Sequence, residues 1–276
     1  MDIAPPLGRS EPEHAKVLVD ALEAEGVKFH APVKTKKIRK TKTGVAIDIE
    51  DGPTLEGTHL LVAAGRAPVV DGLELESAGI KYDRRGIETD DNLRTSNKRV
   101  YAVGDVAAGK GGLTHAAGFH AGQVMRTLYF TPPGISASAV TDRMPAAIYA
   151  EPELASIGLT EAQAREKGHD VRCVSWDFEE NDRAIAERAD LGGVKIVATK
   201  KGKILGASIV GEGAGDIIQM ISLAMANNIK ISGLTSFISP YPSRGELIKR
   251  AAGSWYTDLI FGPKFKKLAG FLSLFH

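Results

Sequence analysis

RVYAVGDVAAG, residues 99–109, is an apolar run that closes on a glycine and an aspartate, and THAAGFHAGQVMRTLYF, residues 114–130, follows it with helical spacing. Ala117, Ala121, Val124 and Leu128 recur at i, i+4, i+7 and i+11, which places them on one helix face. A strand passing through Gly104-Asp105 into a helix is a building block of an α/β domain. Gly104 removes a side chain where the chain turns, so the Asp105 carboxylate can reach a sugar hydroxyl. A turn-stabilising or capping aspartate is the other reading of the local sequence.

Upstream, Ser10 to Gly26 reads as one helix. Ser10-x-x-Glu13 has the form of a capping box, Pro12 sits in the tolerant first turn, and Gly26 follows the last periodic residue. Ala15, Leu18, Val19 and Leu22 form its apolar stripe. VKFHAPV (27–33), GVAIDIE (44–50) and THLLVAAG (58–65) read as strands. The basic run from Lys34 to Lys42 reads as a solvated edge strand whose lysines discourage further pairing, with phosphate binding as the alternative. Residues 66–95, rich in Pro, Gly, Asp and Arg around the amphipathic GLELESAGI (72–80), read as a connection, and TPPGISASAV (131–140) as a domain boundary.

Downstream, MPAAIYAEPELASIGLT (144–160) is strand-like and ends in a second capping box, Thr160-x-x-Gln163, opening a short helix closed by Gly168. DVRCVSWDF (170–178), GGVKIVATKKG (192–202) and KILGASIVG (203–211) are strands, the last two joined in a hairpin at Lys200-Lys201-Gly202. Residues 213–228 form a helix with Ile217, Ile221, Ala224 and Met225 on one side. Strands grouped with helices beside them indicate an antiparallel α+β domain, so the fold class is α/β plus α+β.

The chain has 276 residues, of which 43% are hydrophobic and 25% charged, enough for a sizeable core. Its formal charge of +1 gives no global field toward nucleic acid, and none is expected as a partner. Cys173 is the one cysteine, which excludes an internal disulfide, a CxxC pair and a cysteine-cluster metal site. No histidine pair has metal-ligand spacing, His115 and His120 being five apart, so no metal is expected. With no apolar leader or bilayer-spanning run, the reading is cytoplasmic.

LLVAAGRAP (60–68), TSNKRVYAVGDVA (95–107) and the block from Ala146 to Gly253 together resemble the pyridine-nucleotide-disulfide oxidoreductases. That flavoprotein family includes dihydrolipoamide dehydrogenase, glutathione reductase, mercuric reductase and soluble pyridine-nucleotide transhydrogenase. The resemblance implies partial nucleotide-binding domains followed by an antiparallel-sheet dimerisation domain. Residues 1–82 would be the late part of an NAD(P)-binding domain and 83–141 the returning segment of an FAD domain. Residues 142–255 would be the dimerisation domain and 256–276 an amphipathic tail. FAD and NAD or NADP are the implied cofactors. The implied partners are a second copy, through 142–255, and a full-length or N-terminal flavoprotein half. The family's GxGxxG turns and CxxxxC pair are not in these residues, so the chain resembles the C-terminal part of a longer reductase. A non-catalytic, truncated paralogue acting as a dimerisation module is the alternative.

The resemblance assigns Asp105, after Gly104, to the ribityl chain of FAD. It assigns Thr114 and His115, at a helix N-terminus whose dipole suits a reduced flavin, to the flavin ring. Gly65 and Arg66 lie in its strand-ending Gly-Arg-x-Pro element, where glycine allows close passage of the nucleotide. Disulfide reductases of the family carry His-Pro with a Glu five residues after the His. Here Tyr241-Pro242 stands at that place and Glu246 remains. A phenol with an ordinary pKa near 10 is a poor base at neutral pH, so Tyr241 should not replace that histidine in thiol chemistry. Ser243-x-x-Glu246 also has the form of a capping box, which gives Glu246 a second reading. In the tail, Phe265, Leu268, Leu272 and Phe275 share a helix face behind Lys264, Lys266 and Lys267. That face reads as packed on its own dimer, with membrane-surface or partner docking as the alternative.

Overall fold

The computed structural model describes residues 1–132, 135, 138, 139 and 143–275. In chain order its strands are β1 (Thr35–Lys40), β2 (Val45–Ile49), β3 (Thr54–Gly57), β4 (Tyr82–Asp83), β5 (Gly86–Ile87), β6 (Ala146–Ile148), β7 (Leu154–Gly158), β8 (Val171–Asp177), β9 (Gly193–Thr199) and β10 (Ile204–Val210). Its helices are α1 (Pro12–Ala24), α2 (Thr114–Tyr129), α3 (Glu161–Glu166), α4 (Asp182–Glu187), α5 (Ala214–Ala226), α6 (Ile231–Ser236), α7 (Glu246–Ser254), α8 (Thr257–Ile260) and α9 (Pro263–Leu272). The chain divides into two compact units, one of Met1–Thr58 with Pro145–His276 and one of His59–Met144. The boundary placed at 141/142 falls on residues outside the described ones, as do 133, 134, 136, 137 and 140 of the stretch 131–140 in which it is expected.

The first unit is built on a five-stranded antiparallel sheet in the order β6-β7-β10-β9-β8. β9 and β10 are buried along nearly their whole length because helices cover them, which is why GVKIVAT and ILGASIV read as continuous apolar runs. α5 places Ile217, Ile218, Ile221 and Ala224 against Ile157, Ile196 and Ile209, and Leu247, Ile248 and Ala251 of α7 join the same core. The hairpin turns at Gly202 (φ +80°), and Thr160 and Gln163 form the expected capping box on α3. α1 packs Leu18 onto Leu154 and Val210. The antiparallel trio β1-β2-β3 belongs to this unit too, with β1 exposed throughout as an edge strand. The antiparallel sheets and their helices bear out the mixed α/β and α+β class.

Several local expectations fail for identifiable reasons. α1 begins at Pro12 with Glu11 as its cap residue and no side-chain cap, so Ser10 makes no capping box. The residue before a proline is driven out of the helical region, which fixes the start one position late for Ser10. Residues 27–33 form no strand. His30 C=O accepts from Asp2 N–H, Val33 N–H donates to Asp2 C=O, and Pro32 has no N–H to offer. Residues 58–65 form none either: no strand of the described residues runs beside them, and Leu61 and Val62 are 89% and 71% exposed.

The second unit has a small core of Leu75, Ile80, Ile87, Leu93, Ala102 and Ala107. The expected strand at 99–109 shrinks to two bridges, Tyr101 with Arg94 before a single 3-10 turn at Gly104–Val106 and Ala107 with Ile87 after it. β5 is two residues long and offers no edge for a longer ladder. α2 is present, but turned from the expected stripe. Ala116 and His120 are buried, while Ala121 and Leu128 are exposed.

Candidate functional site

In the second unit the turn after Ala102 is organised by two glycines and a histidine. Gly104 has φ +70°, and a Cβ there would lie 2.9 Å from Ala117 Cβ on α2, so only glycine lets the turn approach the helix. The Gly104 N–H donates to His120 Nδ1 at 3.2 Å. His120 is fully buried and its Nε2 meets no partner. Burial first, and Lys110 second, hold the His120 pKa below the ordinary imidazole value. A neutral ring accepting at Nδ1 is the form that fits.

This turn places Asp105 beside a glycine-rich loop. Asp105 Oδ1 accepts from the Gly112 N–H at 2.8 Å, and a Cβ on Gly111 would fall 2.3 Å from Asp105 Cα. Arg66 donates to Gly112 C=O at 2.6 Å and lies 3.7 Å from Asp105 Oδ2. These residues line a groove of about 410 Å3 with Arg84, Arg85 and Gly109. Arg85 is also paired with Asp83 at 2.9 Å. The groove therefore offers a half-exposed carboxylate able to accept from hydroxyls, and guanidinium groups able to hold an anion. Gly65 (φ +118°) leads the chain into Arg66. Thr114 is the first residue of α2 and Leu113 its cap residue, so Thr114 does not act as the cap; no side chain caps this helix. His115 follows on an exposed face.

Tyr241 and Glu246 lie in the first unit. The Tyr241 hydroxyl donates to Asp182 Oδ2 at 2.6 Å, and this bond to a carboxylate pushes the phenol above its ordinary pKa. Asp182 opens α4, whose cap is Asn181: Asn181 Oδ1 accepts from Ala184 N–H, and its Nδ2 donates to Ser243 C=O. Arg244 braces the same loop on Glu187 (2.6 Å) and Glu212 (3.0 Å), with its guanidinium over the Phe178 ring. Glu246 does not join Tyr241; it pairs with Arg250 at 2.8 Å. The capping box with Ser243 is absent, because the cap residue of α7 is Gly245 and Ser243 Oγ lies 3.0 Å from Ser239 Oγ.

Residues 4–121 match the family model for pyridine nucleotide-disulphide oxidoreductase, and residues 144–252 match the dimerisation domain of the same family. The chain belongs to this family. Its members use FAD and NAD(P), and the domain at 144–252 is the one through which they form homodimers. Mercuric reductase from Staphylococcus aureus is 32% identical over 255 residues, covering 90% of this chain and 46% of that protein. Dihydrolipoyl dehydrogenase from Bacillus subtilis is 32% identical over 248 residues, covering 88% and 52%. Among solved structures, LpdA from Mycobacterium tuberculosis superposes with a TM-score of 0.82 at 26% identity, covering 89% of this chain and 53% of that one. The HOCl-induced flavoprotein disulfide reductase RclA from Escherichia coli gives 0.82 at 25%, covering 91% and 57%. The chain thus spans about half the length of the curated relatives it matches. These relatives bear the names of enzymes, which does not favour the reading as a non-catalytic module. Among the described residues no helix is long and apolar enough to cross a membrane, and no group of three His, Cys, Asp or Glu could hold a metal ion.

Asp182, His120, Gly111 and Gly112 were not among the residues expected from the sequence. GKGG (109–112) and a histidine within α2 were visible signals; that Asp182 meets Tyr241 across 59 positions was not.

Proposed function

We propose that this chain supplies part of the flavin site and the subunit interface of an FAD- and NAD(P)-dependent oxidoreductase. The observation that carries the reading is Asp105, held by the Gly112 N–H with its second oxygen turned toward Arg66, on a groove floored by glycine. These residues fit part of a dinucleotide. The carboxylate would accept from sugar or ribityl hydroxyls, Arg66 would face a phosphate, and Gly104 and Gly111 clear the space a Cβ would fill. Gly65 allows the approach to Arg66, and the uncapped start of α2 at Thr114 and His115 offers a positive dipole end to negative charge. FAD, when bound, supplies two-electron transfer between a nicotinamide and an acceptor. In the first unit, Tyr241 holds its proton against Asp182 and acts as a hydrogen-bond donor instead of a base, and Glu246 is engaged by Arg250. Residues 142–255 form the homodimer interface. Disulfide turnover by these 276 residues alone is not expected, since the single thiol, Cys173, is pushed up to about 12, chiefly by burial.

FAD titration into the purified chain, followed by flavin fluorescence, tests the assignment. Asp105→Ala should weaken binding about 10- to 100-fold, the range for hydrogen bonds to a charged group. Binding that Asp105→Ala leaves unchanged would sink the groove as a flavin site.

A further inference from the structure

We propose that α9 binds the surface of an anionic lipid bilayer. Residues 259–276, LIFGPKFKKLAGFLSLFH, contain three lysines and no acidic residue, so this segment carries +3 while the whole chain carries +1. Four of the nine phenylalanines fall within it. It lies beyond the residues matched by the family's dimerisation domain, which end at 252.

The base of the segment is fastened and its helix is not. The Arg172 guanidinium of β8 sits 4.8 Å from the Trp255 ring centre and 3.1 Å from Asp258 Oδ2. From residue 257 to 275 no described residue is buried, and Phe261, Leu268, Phe271, Leu272, Leu274 and Phe275 are between 49% and 78% exposed. Phe265, Leu268 and Leu272 share one face of α9, three and four positions apart. Lys266 and Lys267 follow Phe265 by one and two positions and fall off that face. A phenylalanine- and leucine-rich face, flanked by lysines, suits the boundary between headgroups and acyl chains.

Charge separates a lipid surface from a second copy of the same helix. Two such tails, each with three lysines and no acidic side chain, would repel, and neither has an Asp or Glu to pair with the other's lysines, whereas anionic headgroups supply the missing charge.

Sedimentation of the full chain with vesicles tests this, comparing phosphatidylcholine alone with phosphatidylcholine containing phosphatidylglycerol. Binding is expected to the phosphatidylglycerol vesicles, to weaken with salt, and to fall about fivefold for each lysine neutralised in Lys266→Gln and Lys267→Gln. Phe271→Glu should abolish it. All three positions are exposed, and unchanged circular dichroism and melting would show that the fold is retained. Failure to sediment, equal sedimentation with both vesicle types, or binding insensitive to the lysine substitutions would overturn the proposal. So would a drop in the light-scattering mass of Phe271→Glu, because it would show a second copy covering the face.

Discussion

Replacing Lys195 with methionine should cost more stability than any comparable change on the surface. Lys195 sits on β9, 8% exposed, with its ammonium 3.0 Å from Glu11 Oε2, 2.6 Å from Glu13 Oε1 and 2.8 Å from Glu161 Oε2. Burial pulls its pKa down, but the three carboxylates together outweigh this and hold it above the ordinary lysine value. Glu161 is lowered to about 2 by its bonds to Lys195 and Arg165. Glu11 is only 3% exposed, so without Lys195 a buried carboxylate has lost its cation. Breaking such a pair from one side costs about 3–5 kcal/mol. The lower end applies, because Glu11 Oε1 still accepts from the Glu161 N–H at 2.6 Å and Glu13 is half exposed. For a unit of this size about 3 kcal/mol corresponds to a Tm drop of roughly 6–12 °C. Thermal and urea melts of Lys195→Met measure it, and adding Glu11→Gln, which removes the stranded charge, should restore most of the loss. A Lys195→Met protein within about 1 kcal/mol of the wild type, or a double variant no better than the single one, would show that the cluster contributes no net stability.

The remaining predictions concern protons. His14 Nδ1 lies 2.8 Å from Ser208 Oγ, and burial pushes its pKa down to about 4. Because the folded value lies below the unfolded one, the unfolded chain takes up the proton first, and stability should fall by about 2 kcal/mol from pH 7 to pH 5. His14→Gln should flatten that slope in urea melts, and an unchanged slope would mean that the imidazole titrates normally in the fold. The Tyr241 phenol is raised by its bond to Asp182. Asp182→Asn should therefore bring its ionisation back toward the ordinary tyrosine value in an ultraviolet titration, with Tyr241→Phe identifying the signal. No shift would mean that this bond is absent in solution.

The dimerisation-type domain was legible because its signals are local and agree with one another. The Thr160 capping box, the Gly202 hairpin and the apolar strands flanking it each specify a structure that the neighbouring segments also require. The first half was less legible where an element depends on neighbours. LLVAAG and RVYAV have strand composition, but a strand needs a partner of matching length, and two-residue β5 cannot provide one. The α2 stripe was misread because the buried position is a histidine, and its burial follows from a bond to Gly104 sixteen residues away. Of the candidate site, Asp105 with Gly104 and Arg66 was readable from short motifs. The partner that orients Tyr241 was not, since Asp182 lies 59 positions away and no local pattern links the two.

Lys195 shows how such long-range partners leave a trace. A lysine inside the otherwise apolar GVKIVAT cannot be buried by itself, because desolvating an ammonium without a counter-charge costs several kcal/mol. Its position on a covered central strand therefore demands acidic residues from another element, although the strand does not say which. The answer, Glu11 and Glu13, lies more than 180 positions away, at the start of α1. Those two carboxylates also explain why the Ser10 reading failed. Glu11 precedes Pro12 and is held extended, and its side chain is turned toward Lys195 and α3 instead of back onto its own helix. The same constraint that removes the local cap thus supplies the counter-charge the buried lysine needs. It fastens α1, from the first 58 residues, to the five-stranded sheet built from the last 132, within a single compact unit.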